Sequence, residues 1–272
     1  MVTFENGNKE KFSRTFRQLL DDSQISEFKW SKLRQARERF AAIKLIEVIS
    51  LARNESIRID ILIWDTQDSR HKVEGRDDIA NLQRMYYHLF KNVLKRRWSA
   101  QGTWFLFPDE NSALDWQSVQ NFLDTAGLSI QTSGNLFDGT PFRFRLSKDF
   151  QIIGIKEISS EKEPICQVAD LFAGIGAYSH SIFTKYSEWV NNENGQMQLF
   201  FEISPEKQKF TNSEKERFKI IKYLDDTCKR NKFQIGLKSG KGFKTHNPQF
   251  PINFWFYEPQ NSKDKAPTKN GG

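Results

Sequence analysis

Ile57, Ile59, Ile61 and Ile63 alternate with Arg58, Asp60, Leu62 and Trp64, and this run constrains the fold more than any other stretch. Alternation of β-branched and other residues with period two predicts a strand. It sits between helical patterns. Residues 8–22 place Phe12, Phe16, Leu19 and Leu20 on one side of a helix, and residues 32–53 carry Phe40, Ile43, Ile46, Ile49 and Ala52 at helical spacing. Beyond the polar loop from Thr66 to Gly75, Asp77 or Asp78 caps a third helix with a stripe of Ile79, Leu82, Met85, Tyr86, Leu89, Val93 and Leu94.

The alternation continues to about residue 190. Trp104-Phe105-Leu106-Phe107 reads as a strand stopped by Pro108-Asp109-Glu110-Asn111, and Ser112 is placed to cap a helix with Leu114, Val119, Phe122 and Leu123. Phe142, Phe144 and Leu146 alternate with Arg143 and Arg145, and Ile152 to Ile158 forms a further strand. Pro164 suits the first turn of a helix running to about residue 186, and residues 213–230 form a charged helix with Phe218, Ile221 and Leu224 on its apolar side. A Gly/Lys-rich loop at 236–249 and a strand from Ile252 to Tyr257 follow. Strands interleaved with helices imply an α/β fold, a sheet covered by helices. Residues 1–258 read as a single domain whose last part, about 229–258, is a basic and aromatic extension, and residues 259–272 read as a disordered tail.

Charge narrows the partners. The 272 residues carry a net charge of +7, with a pI near 9.3. Between Lys229 and Tyr257 there is no Asp or Glu, while Lys238, Lys241 and Lys244 fall among Phe233, Phe243, Phe250, Phe254 and Trp255. Cations interleaved with aromatics suit nucleic acid, DNA or RNA, through phosphate contacts and base stacking. The same pattern also describes a solvated basic loop beside a buried aromatic strand. No apolar run is long enough to span a membrane. Cys166 and Cys228 are too few for a disulfide framework, so a reducing cytoplasm is the expected setting.

Asp170 lies among apolar and small residues in Ile165 to Ala177, with Gly174 and Ala177 on the same helix face. A carboxylate there requires a partner: a cation, a hydrogen-bond donor or a metal. Asp109 and Asp65 each follow a strand, where open α/β sheets bind ligands, although both positions also suit ordinary turns. Glu27 lies between polar residues and looks like a surface glutamate.

Two segments carry a resemblance. Ser26-Glu27-Phe28-Lys29-Trp30-Ser31-Lys32-Leu33 resembles the Glu-Leu-Lys-Trp signature of the bacterial domain-of-unknown-function 3800 family. Cys166-Gln167-Val168-Ala169-Asp170-Leu171-Phe172-Ala173-Gly174 is similar to that family's Gln-Leu-Ala-Asp-Leu-Ile-Ala-Gly helix, and Phe107-Pro108-Asp109-Glu110 is similar to its strand end. The resemblance implies a ribonuclease H-like mixed sheet flanked by helices. It also implies a metal-dependent nuclease or related phosphoryl-transfer enzyme, in mobile-element or defence biology, with Glu27, Asp109 and Asp170 holding Mg²⁺ or Mn²⁺. The family's opening strand with Asp-Glu-Ser-Gly has no counterpart here. The expectation is therefore a first strand missing from this chain or supplied elsewhere, by a partner chain or a second copy that completes the sheet. The alternative is a ribonuclease H-like module that binds nucleic acid or a partner without cutting.

Overall fold

The computed structural model describes residues 1–51, 57–68, 77–98, 102–110, 114–133, 143–193, 210–237 and 242–258. In chain order these form β1 (Val2–Thr3), α1 (Lys9–Asp22), α2 (Ala36–Leu51), β2 (Arg58–Ile63), α3 (Asp78–Arg96), β3 (Gly102–Leu106), α4 (Trp116–Ala126), β4 (Leu128–Ser133) and β5 (Arg143–Lys148). They continue with β6 (Phe150–Ile155), α5 (Pro164–Ser181), α6 (Phe183–Glu193), α7 (Asn212–Arg230), β7 (Ile235–Leu237), β8 (Phe243–Thr245) and β9 (Ile252–Phe256). The fold is mixed α/β. It divides into two compact units, Met1–Ile63 with Ser160–Phe256, and Trp64–Ser159 with Tyr257–Gly272.

In the first unit the isoleucine-rich strand β2 is central. It pairs antiparallel with β1 and parallel with β9, with Ile59 opposite Ile252, Ile61 opposite Phe254 and Ile63 opposite Phe256. Successive side chains on a strand point to opposite faces, so Ile59, Ile61 and Ile63 fall on one side and are buried. α5 packs on that side. A side chain at Gly176 would come within 3.0 Å of Ile61 and 3.4 Å of Phe254, so the absence of one lets the helix backbone approach the sheet. Phe12 and Phe16 of α1, Val168 and Phe172 of α5, and Phe218 and Leu224 of α7 complete the core.

Three expectations need revision here. α2 buries Ala41, Ala42, Leu45, Ile46 and Ile49, whereas Phe40 is 46% exposed. The two alanines leave room for α7, to which α2 is bound by the Arg39–Glu216 pair at 2.5 Å and the Tyr223 hydroxyl donating to Glu47 at 2.7 Å. The helix expected from 164 to about 186 is interrupted at Ile182 (φ −124°, ψ 23°), where α5 ends and α6 begins. The span read as a loop over 236–249 contains the hairpin of β7 and β8, with Ile235 opposite Thr245 and Leu237 opposite Phe243. Alternation over only three residues is too short to register as a strand.

In the second unit β3 pairs parallel with β6. The ladder continues past both strands, since Lys156 donates its N–H to Leu106 and Ile158 to Pro108. β4 and β5 form an antiparallel pair. α3 starts at the expected cap, Asp77, which accepts from the N–H of Ala80. α4 is capped by Asp115, accepting from Gln117 and Ser118, while Ser112 lies outside the described residues. Phe90, Val93 and Leu94 of α3, Val119 and Leu123 of α4, and Phe150 and Ile152 of β6 are buried.

Phe254→Ala should lower stability by about 3–5 kcal/mol, as for other large aromatic truncations in a core. Phe40→Ala should change it by no more than about 0.5 kcal/mol, because the ring faces solvent. Urea denaturation of the two variants checks the assignment, and equal losses would contradict it.

Candidate functional site

The two motifs that carry the family resemblance are the two halves of one docking. After α1, the chain runs extended through Lys29 (φ −133°, ψ 128°) into a single 3₁₀ turn at Trp30–Lys32. In extended backbone the N–H groups of residues two apart point the same way, and on a helix residues three apart share a face. The two spacings match here. Gln167 Oε1 accepts from the N–H of Phe28 at 2.7 Å, and Asp170 Oδ2 accepts from the N–H of Trp30, also at 2.7 Å. Gln167 also donates through Nε2 to the carbonyl of Ser160 at 2.9 Å.

Gly174, one turn beyond Asp170, receives the indole of Trp30. A side chain there would lie 2.1 Å from the ring. On its other side Trp30 meets Tyr178 edge-on at 5.7 Å and the guanidinium of Arg217 at 5.6 Å. Arg217 Nη2 also donates to the carbonyls of Trp30 and Ser31 at 3.0 and 3.3 Å, and Ser213 Oγ donates to that of Leu33 at 2.6 Å. The segment from Phe28 to Leu33 is thereby clasped between α5 and the first turns of α7.

Glu27 precedes this segment. Lys29 Nζ lies 3.0 Å from Oε1 and Lys32 Nζ 3.6 Å from Oε2, and Ser160 Oγ donates to Oε1 at 3.3 Å. Burial works to raise this carboxyl, but the hydrogen bonds and charges of Lys29, Lys32 and Ser160 outweigh it and hold it below the usual 4.5.

The second unit holds the remaining acids proposed from sequence. Asp109 forms an isolated parallel bridge with Ile158 and is exposed. Burial and then its negative charge push the Tyr86 hydroxyl above its ordinary value. Asp65 accepts the N–H of Gln67 at 2.9 Å, the turn that an Asp after a strand commonly makes. Among the described residues no group of three or more His, Cys, Asp or Glu side chains lies together in a way that could hold a metal ion. Both oxygens of Glu27 are engaged by lysines and Asp170 holds a backbone N–H. Both carboxylates thereby serve as internal ties.

Of the basic residues proposed to bind nucleic acid, Lys244 is exposed on β8, and Lys238 and Lys241 lie outside the described residues. Their expected aromatic companions Phe233, Phe243 and Phe254 are buried, Phe243 stacking on Phe254 at 5.1 Å, so these rings serve packing. Gln167, Trp30 and Arg217 escape a sequence reading because their roles depend on partners 139, 140 and 187 residues away. Gln167 and Trp30 stand inside the two motifs, whose matched spacing (28 and 30 against 167 and 170) is the signal that could have paired them; Arg217 has none.

Gln167→Leu leaves the buried Phe28 N–H without its acceptor and should lower stability by about 1–3 kcal/mol in chemical denaturation. Gly174→Ala should destabilise by a similar ~1–3 kcal/mol, since the indole has to move. Because the fold holds Glu27 below its ordinary pKa, its contribution is fully present above about pH 4.5 and is lost as the pH falls through the lowered value. Glu27→Gln should therefore flatten the acid limb of the stability profile, and an unchanged limb would contradict the Lys29 and Lys32 pairings.

No family model matches the chain, and no solved structure matches it. Two archaeal proteins do. Uncharacterized protein ORF2' of Methanothermobacter thermautotrophicus is 39% identical over 256 residues, which span 92% of this chain and 84% of that protein. Uncharacterized protein ORF2 of the same organism is 39% identical over 247 residues, spanning 89% of this chain and 80% of that protein. At that identity and coverage, the chain belongs to the family of ORF2' and ORF2.

Proposed function

We propose that this chain is a nucleic-acid-binding module on a ribonuclease H-like scaffold, working in the cytoplasm and gripping its ligand without cutting it. The observation that carries this reading is the engagement of Glu27 and Asp170. Two of the acids that would bind metal in a nuclease, Asp170 and Glu27, here tie the Phe28–Leu33 segment to α5 and pair with two lysines. The net charge of +7 supports attraction to a polyanion. Helix α5 laid over a sheet with parallel β2 and β9 supports the scaffold. Neither cysteine is in a disulfide, and among the described residues no helix is long and apolar enough to cross a membrane.

One observation favours the nuclease alternative: Asp170 is exposed on α5. The two readings separate in one experiment. Fluorescently labelled DNA and RNA oligonucleotides are titrated with protein in EDTA and in Mg²⁺ or Mn²⁺, and the products are run on a denaturing gel. The binding reading expects intact oligonucleotide, affinity that survives EDTA, and log K falling linearly with log salt. Metal-dependent cleavage that disappears in Asp170→Asn would establish the nuclease instead.

A further inference from the structure

We infer that single-stranded nucleic acid docks in a cationic hollow between the end of α1 and the start of α2, with Phe40, one turn further along α2, as a stacking platform; this deepens the binding function proposed above. The hollow has a volume of about 570 Å³ and is lined by residues from Gln24 to Glu38. Lys29, Lys32, Arg34 and Arg37 face two carboxylates there, those of Glu27 and Glu38.

Both carboxylates are already engaged, which leaves the excess positive charge available. Glu27 lies between Lys29 and Lys32, and its side chain is only 13% exposed. Glu38 pairs with Arg37 Nε at 3.0 Å and accepts the backbone N–H of Gln35 at 2.7 Å. That second bond caps the N-terminus of α2, so the cationic side chains, not the helix end, make the attraction. Arg37 remains 56% exposed and Lys32 68% exposed, so each keeps N–H groups turned to solvent. Arg34 is exposed and makes no ion pair with a carboxylate among the described residues.

Phe40 is what points to nucleic acid and not to free phosphate. It follows Arg37 by three residues, so the two share a face of α2, about 4.5 Å apart along the axis. The ring is 46% exposed, and Lys44 Nζ, which also pairs with Glu47 at 2.8 Å, sits 5.6 Å from its centre. An exposed aromatic flanked by cations on one helix face is the arrangement that holds an unpaired base on its ring and the phosphates on either side. A duplex hides its base faces and would gain nothing from Phe40.

The test is fluorescence anisotropy with a labelled oligothymidylate of about 16 nucleotides, long enough to fill a typical single-strand site. Its duplex of equal length is measured beside it, over a series of salt concentrations. Phe40→Ala should weaken single-strand binding roughly tenfold and leave duplex binding unchanged. Arg34→Ala with Arg37→Ala should weaken it about tenfold or more and reduce the salt slope by about 1.4, about 0.7 for each single-strand phosphate no longer neutralised. These side chains are exposed, so circular dichroism should show both variants folded. Arg34→Glu, which breaks no ion pair, is the second charge variant if the double one does not fold. Wild-type affinity and slope in the charge variants, with wild type binding the oligonucleotide, would overturn this site while leaving the binding function standing. Equal loss of duplex and single-strand binding in Phe40→Ala would overturn the stacking role. No binding by wild type would overturn the proposed function and this inference together.

Discussion

Two side-chain acceptors on one helix, Gln167 and Asp170, hold the N–H groups of Phe28 and Trp30, and the first unit depends on that hold. The segment they capture connects α1 to α2 and pairs with no strand among the described residues, so the Phe28 and Trp30 donors are satisfied by side chains. A buried N–H left open costs about 1–3 kcal/mol, comparable to the loss of a sizeable part of a core side chain. Because the captured segment carries Phe28, Trp30 and Leu33 into the core, the same bonds set the position of three large apolar groups. α5 mediates between them and the sheet: Gly176 lets it approach β2 and β9, and Gly174 lets Trp30 approach it.

Asp170 illustrates how one carboxylate supports opposite conclusions at different levels. From sequence, a charge among apolar residues asks for a partner, and a metal is one way to supply it. In the fold the partner is a backbone N–H, a charge-assisted bond that meets the same physical demand. Glu27 is the reverse case. It looks like a surface glutamate, yet its side chain is only 13% exposed, and it is held by lysines two and five positions along the chain. The two acidic segments are therefore as well explained by a structural clasp as by catalysis.

The parts of the fold that were legible in the sequence were those with long periodic patterns. β2, α1, α3 and α7 lie close to where their apolar spacing puts them, although on α3 Ile79 is 45% exposed while Asn81, His88 and Phe90 are buried beside Met85, Val93 and Leu94. The buried face of α2 was misplaced because alanine carries a weak hydrophobic signal, while Phe40 carries a strong one and points outward. β1, β7 and β8 are two or three residues long and owe their form to their partners rather than to their own sequence. The division into two units has no mark in composition, since the chain leaves the first unit after Ile63 and returns at Ser160 without a Pro- or Gly-rich linker. Of the candidate site, the residues of both motifs were legible, whereas the bonds between them and the hollow beside Arg34 and Arg37 arise only from tertiary packing.

The central claim, that α5 clasps the Phe28–Trp30 segment through its side chains, is tested most directly by amide hydrogen exchange at Phe28 and Trp30 in the native protein. Among the described residues neither N–H donates to a helix or sheet ladder, so the bonds to Gln167 and Asp170 are what hold these amides closed. Strong protection of both in wild type, lost selectively at Phe28 in Gln167→Leu and at Trp30 in Asp170→Ala, is the predicted result. Rapid exchange of both amides in wild type would contradict it, and with it the structural account of Asp170.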